Sequence, residues 1–250
     1  RIATVSAFIV ALFPSQILYT SLLATENLFT PLLLGSTLFF LIHLQNRKPV
    51  YLLFAGILLG LSSLVRPTAL LTPGIWFLFM LWKKCGLSKS LMTIAALSLV
   101  TLLVITPWIM RNAIVMDAFI PTATEGGVGF FCGYNETADG HFAPYARRLV
   151  DQMGDELGLD EVEREKLAYR LAFEFVRQNP HKVILLAPLN VFHLFRDDVS
   201  GVVWNFAEMA RPLPQLLWYL LVGIAQFYYV GVMLLAIVGF FHWRDLPDNR

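Results

Sequence analysis

From Leu91 to Trp108 the sequence reads LMTIAALSLVTLLVITPW, a run without one charged side chain. At about 1.5 Å of rise per residue it makes about 27 Å of α-helix, close to the roughly 30 Å of a bilayer's hydrocarbon core. Lipid offers backbone N–H and C=O groups no partners, so a chain entering it must satisfy them within a helix or a closed barrel. Similar stretches recur at about 3–20 (A), 28–44 (B), 50–65 (C), 68–82 (D) and 215–241 (G), with 91–108 as E. Only 15% of residues are charged and 57% are hydrophobic, whereas a soluble domain carries about 25% charged residues. The pattern predicts an all-α polytopic membrane protein with six spans. C and D are short, about 23 Å for D, so the bilayer thins there or their ends lie below the headgroups. Gly56 and Gly60 in C either permit close helix contact or are incidental to an apolar helix.

The short loops give an orientation. Arg47 and Lys48 lie between B and C, and Lys83, Lys84 and Lys89 between D and E, with no acid among them. That side is expected to be cytoplasmic. Glu26, Arg66 and the segment from Arg111 to about Lys182 then face outward, with every acid of the chain except Asp245 and Asp248. Cys85 and Cys132 fall on opposite faces and are not expected to pair. The basic residues are scattered, so nucleic acid is not an expected partner.

The expected organisation is spans A–E over 1–109, an extracytoplasmic loop with amphipathic and interfacial helices over 110–213, and a final span with a cytoplasmic tail over 214–250. PTATEGGVGFFCGYNETADG, 121–140, has the composition of turns and loop, with little apolar content to pin it. Val162, Leu167, Leu171, Phe175 and Val176 predict a helix from Asp160 to Gln178, ended by Asn179-Pro180. HKVILLAPLNVFHLFRDDV, 181–199, is long enough to span but is interrupted by Pro188, Asn190 and His193. We read it as interfacial, which lets G run inward.

Glu26 raises the sharpest functional question. Either Thr25 caps helix B, or Thr30 does with Pro31 at the first helical position. An acid there helps the helix dipole by about 0.3–1 kcal/mol, and a solvated capping acid is one reading. The other is a site acid, since ionisable groups at membrane depth line pathways and pockets. Arg66, in the next outer turn, is either a lipid-snorkelling cation or a fixed partner for a substrate phosphate. Arg111 in TPWIMRN is a positive anchor beside the interfacial Trp108, or a substrate contact. The Gly126–Gly140 stretch lacks the Lys-Ser/Thr ending of a phosphate loop. His141 stands without a neighbouring metal ligand, and a divalent metal is left open. Asn135-Glu136-Thr137 is a sequon, relevant only in a eukaryotic secretory membrane.

Four stretches, ALFPSQILYTSLLATENLF, GILLGLSSLVRPTALLTPG, TPWIMRNAIVMDAFIPTATEGGVGFFCGYNETADG and RQNPHKV, occur in an order that resembles the GT-C class of integral-membrane glycosyltransferases. The similarity is to the broad protein O-mannosyltransferase and aminoarabinose-transferase-like group. It implies a helical bundle with an extracytoplasmic subdomain, a polyprenyl-phosphate sugar as donor, and a lipid, glycan or protein as acceptor. It implies chemistry on the outer face of a membrane, expected to be the bacterial cytoplasmic membrane, with a carboxylate as general base and cations or a metal against the phosphate. That group carries its leading acid after its first transmembrane helix. The present chain starts around the third or fourth, so it is expected to be cut from a longer one, with Glu26 at the second acidic position.

The reading is therefore a membrane glycosyltransferase with Glu26 as site acid. Arg66 and Arg111 are its phosphate or substrate contacts, and Tyr134 and Asn135 touch sugar or acceptor. The rivals are a flippase-like carrier, which would place polar residues near the midplane, and a non-catalytic membrane subunit.

Overall fold

The computed structural model describes residues 2–141, 144–206 and 213–243. The expected tail from Arg244 onward lies outside them. Among the described residues the chain is all-α with no strand. It divides into two compact units, Thr25–Asn190 and Arg1–Ala24 with Val191–Arg250.

In the larger unit, α3 (Glu26–Asn46) and α4 (Pro49–Val65) form a hairpin. Arg47 ends α3 in the left-handed region at φ 58°, and Pro49, which needs no N–H partner in a first turn, opens α4. A turn this short makes the two helices antiparallel neighbours. Their register is fixed by contact: Ser36 Oγ donates to the Ala55 carbonyl at 2.6 Å, and Phe39 stacks on Phe54 with centroids 5.3 Å apart. A 3-10 turn, Pro67–Leu71, follows, then α5 (Thr72–Trp82) and α6 (Leu87–Met116). Phe40 and Trp76 stack at 4.1 Å and join α3 to α5.

Helix α4 meets α6 through its glycines. A methyl group on Gly56 would come 2.7 Å from Val100 Cβ, and one on Gly60 would come 2.6 Å from Val104 Cβ. Gly56 and Gly60 therefore do permit close approach. In lipid, where apolar side chains gain little by leaving their solvent, such packing is what holds helices together. The constant offset between the two contacts makes α4 and α6 parallel. The Arg66 end of α4 and the Arg111 end of α6 thus lie at the same end of the bundle.

Beyond α6 come α7 (Gly126–Gly133), α8 (Pro144–Leu157), α9 (Glu161–Gln178) and α10 (Pro180–Arg196). Helix α9 follows the sequence expectation. Asp160 accepts from the Glu163 N–H while the Glu163 side chain accepts from the Asp160 N–H, a capping box. Helix α7 corrects it. Within the stretch 121–140 read as loop, residues 126–133 are helical because Phe131, Cys132, Ala146, Val150, Ala168 and Ala172 close a small core between α7, α8 and α9, while the residues on either side are turns and bends. Gly127 lies so close that a methyl there would meet the Glu165 carbonyl at 2.5 Å. Gly126 and Gly127 serve contact here, not turns.

In the smaller unit, the expected single helix over 3–20 is two, α1 (Ile2–Ala11) and α2 (Pro14–Tyr19). Pro14 has no N–H to continue the ladder and holds Phe13 extended, at ψ 111°. The freed Ile9 carbonyl accepts from Tyr228 Oη at 2.6 Å. Helix α11 (Ser200–Phe206) packs on α2: Ser15 Oγ donates to Asp198 Oδ1 at 3.0 Å and accepts from the Gly201 N–H at 3.2 Å. The long α12 (Gln215–Trp243) completes the unit.

Among the described residues Glu26–Asn46, Leu87–Met116 and Gln215–Gly239 are long and apolar enough to cross a membrane, and Pro49–Val65 and Pro67–Trp82 are shorter apolar segments. Their large side chains point outward: Leu103 is 64% exposed and Phe227 84%. Surfaces of that kind need lipid against them.

Candidate functional site

The α3–α4 register places the start of one helix against the end of the other. Glu26 is the first residue of α3, with Thr25 at its N-cap, so of the two capping positions the structure takes Thr25 and leaves Pro31 inside the helix. Arg66 caps α4 in an extended conformation, φ −143° and ψ 123°, because Pro67 disfavours a helical residue before it. That break turns the Arg66 side chain back toward α3. The Arg66 guanidinium donates to Glu26 Oε1 as an ion pair. Its Nε–H also donates to Thr25 Oγ1 at 3.2 Å, and the Thr25 hydroxyl lies 3.2 Å from Glu26 Oε2 and donates to it. The Arg66 and Glu26 side chains are 41% and 35% exposed. An ion pair that open stabilises a fold by about 0–1 kcal/mol, so a structural role alone is a thin reason for it.

Arg111 lies at the same end of the bundle but makes its contacts elsewhere. Its guanidinium carbon sits 5.1 Å from the Trp108 ring centroid, and Nη1 donates to Asn112 Oδ1 at 3.0 Å. Trp108 Nε1 donates to the Thr122 carbonyl and the buried Asn112 Nδ2 to the Ile120 carbonyl, at 2.9 and 3.0 Å. These bonds tie the segment after α6 back onto it. Together with Thr124, Glu125 and Glu161 they line a cavity of about 330 Å³. Asn112 is a residue that sequence reasoning passed over; the signal was an amide in the last turns of an otherwise apolar helix.

Asn135 is 4% exposed and uses its whole amide internally. Nδ2 donates to the Phe131 and Cys132 carbonyls at 2.8 and 3.2 Å, and Oδ1 accepts from Thr137 N and Oγ1 at 2.9 and 2.8 Å. It closes the C-terminus of α7, which also leaves the sequon amide inaccessible. It borders a second cavity, of about 290 Å³, with Tyr145, Leu149, Glu174 and Phe175. Tyr134 packs edge-on to Phe130 with centroids 5.3 Å apart. The structure therefore brings Glu26 and Arg66 together and leaves Arg111, and Tyr134 with Asn135, in two other places.

Burial pushes the Cys132 thiol up from its ordinary value, partly offset by Arg147. A thiol held protonated is a packing group rather than a nucleophile. No disulfide joins it to Cys85. Among the described residues no group of three or more His, Cys, Asp or Glu side chains converges as metal ligands, His141 included. The Glu26 carboxylate is held by Arg66 and Thr25.

The fold and the paired charges define a helical membrane protein with an acid–base pair at the end of its bundle. Residues 1–110 match the family of dolichyl-phosphate-mannose-protein mannosyltransferases. The match ends at Met110, so α7–α12 lie outside it. No curated protein and no solved structure matches the chain.

Proposed function

We propose that the protein moves a sugar from a polyprenyl-phosphate donor to an extracytoplasmic acceptor, with Glu26 and Arg66 at the reacting centre. The observation that carries this reading is the Glu26–Thr25–Arg66 cluster, assembled by helix register from two turns forty residues apart. Its place in the residues matched to the mannosyltransferase family supports it.

The chemistry requires three things. The acceptor hydroxyl oxygen bonds to the anomeric carbon while the bond from that carbon to the phosphate oxygen breaks. The polyprenyl phosphate leaves with the electron pair, and the hydroxyl proton passes to a base. Arg66 offers a planar fork of donors to the departing phosphate, and Glu26 accepts the proton. In the structure Arg66 grips Glu26. A donor phosphate competes for that guanidinium, and its arrival frees the carboxylate to act. The donor thus switches on its own base.

The test is transfer of radiolabelled sugar from polyprenyl-phosphate donors, mannose first, by the protein in proteoliposomes. Arg66→Gln is expected to raise the donor KM by about 10–100-fold, the loss of roughly 1.5–3 kcal/mol typical of a hydrogen bond to a charged group. An unchanged donor KM would reduce the pair to a clasp between two helix ends. No transfer from any donor would favour the non-catalytic subunit.

A further inference from the structure

The α7–α9 core leaves one side of α9 open, and its chemistry is specific. Tyr169 and Phe173 are 40% and 60% exposed and stack with centroids 6.2 Å apart. Phe130 of α7 joins them edge-on, 5.2 Å from Phe173. Helical spacing sets Val162, Lys166, Arg170 and Arg177 on the same face. All three cations are exposed, and among the described residues none makes an ion pair, although Glu163 and Glu174 border the stripe. Apolar rings interleaved with unpaired cations suit a surface that is both greasy and anionic.

The neighbours of its two ends bear on where α9 runs. Glu161, at its start, accepts from Thr124 and lines the cavity shared with Trp108 and Arg111, where the spanning α6 ends. Its end turns through Asn179 into α10, whose Ile184, Leu185 and Leu189 are exposed and apolar. With α10 read as interfacial, α9 joins the head of a spanning segment to a helix at the boundary and so runs along it. Eighteen residues cover about 27 Å of that boundary.

We propose that α9 is a membrane-surface helix. Tyr169, Phe173 and Phe130 enter the headgroup layer of the protein's own bilayer, and Lys166, Arg170 and Arg177 contact anionic lipid phosphates. The α7–α9 subdomain is thereby held down on the membrane, and its hold depends on lipid charge and ionic strength.

A nitroxide at Val162, on the same stripe, tests this with Cys85 and Cys132 replaced by Ala. The protein is placed in nanodiscs of phosphatidylcholine with or without phosphatidylglycerol. Relaxation by a lipid-anchored nickel chelate is compared with relaxation by a soluble nickel complex. The expected result is dominant relaxation by the anchored chelate in anionic discs, reduced at least twofold by high salt or by Lys166→Gln, Arg170→Gln and Arg177→Gln together. Dominant relaxation by soluble nickel in both lipids overturns the proposal, as does protection of the label by soluble oligosaccharide but not by anionic lipid. If the substituted protein does not fold, amide exchange of residues 161–178 in the native chain decides. Slower exchange in anionic discs supports the proposal, and equal exchange overturns it.

Discussion

The α3–α6 bundle and the α7–α9 subdomain are both helical around cores of apolar and small side chains, yet they turn opposite surfaces outward. The bundle hides Phe40, Leu59 and Met80 together with Ser36, Gly56, Gly60, Ser62 and Ser63, and shows Leu38, Leu99 and Leu103. The subdomain hides Phe131, Val150, Ala168 and Ala172 and shows charges such as Asp155, Glu163 and Arg170. The difference is the solvent. In lipid, apolar side chains gain little by hiding and can face outward, while Gly56 and Gly60 let α4 approach α6 closely. In water, burial of apolar area drives folding and the interior fills with it. The pair Glu26–Arg66 stands at the end of the bundle from which α6 leads into the subdomain.

Three substitutions press on that comparison. The largest effect is expected from Gly60→Leu, because a side chain at Gly60 meets Val104 Cβ and, at 3.1 Å, the Thr101 carbonyl. Neither can swing aside, so the α4–α6 contact opens and the Arg66 end loses its seat. Yield of monodisperse protein from detergent should fall severely; a normal yield would mean that the helices are not held by close approach. Next is Gly127→Ala, where the obstacle is the Glu165 backbone carbonyl. Thermal unfolding should show a loss of about 1–3 kcal/mol in the subdomain, the range for overpacking a filled core. The smallest is Asp160→Ala, which removes the side chain that accepts from Glu163 N at 2.8 Å and should cost about 1 kcal/mol. An Asp160→Ala loss exceeding that of Gly127→Ala would mean that the subdomain depends on helix ends more than on its core.

Much of this was legible in the sequence where one solvent acts alone. The uncharged run at 91–108 is the heart of α6, and Asp160 followed by Glu163 announced the start of α9. Pro14 could be read as a break, but the apolar residues on both sides concealed it. The helix at 126–133 was not legible. Its glycines suggest a loop by composition, and only Glu165 and Tyr169, some forty residues later, turn them into a contact surface. The bonding of Asn135 was hidden for the same reason. An amide in a Gly-rich stretch looks available, whereas here both its nitrogen and its oxygen are spent on α7 and Thr137. Glu26 and Arg66 were visible one at a time as polar residues in adjacent turns. Their pairing needed the register set by Ser36 and Phe39, and the break imposed by Pro67.

The most direct test of the account is the rate of sugar transfer by Glu26→Gln in proteoliposomes, at saturating polyprenyl-phosphate sugar. Gln keeps the shape and can still meet Arg66, but it cannot take a proton. The account predicts a fall in kcat of about 10²–10⁴-fold, the usual contribution of a positioned base, with little change in donor KM. A kcat within about twofold of wild type would contradict it and leave Glu26 as the residue that caps α3.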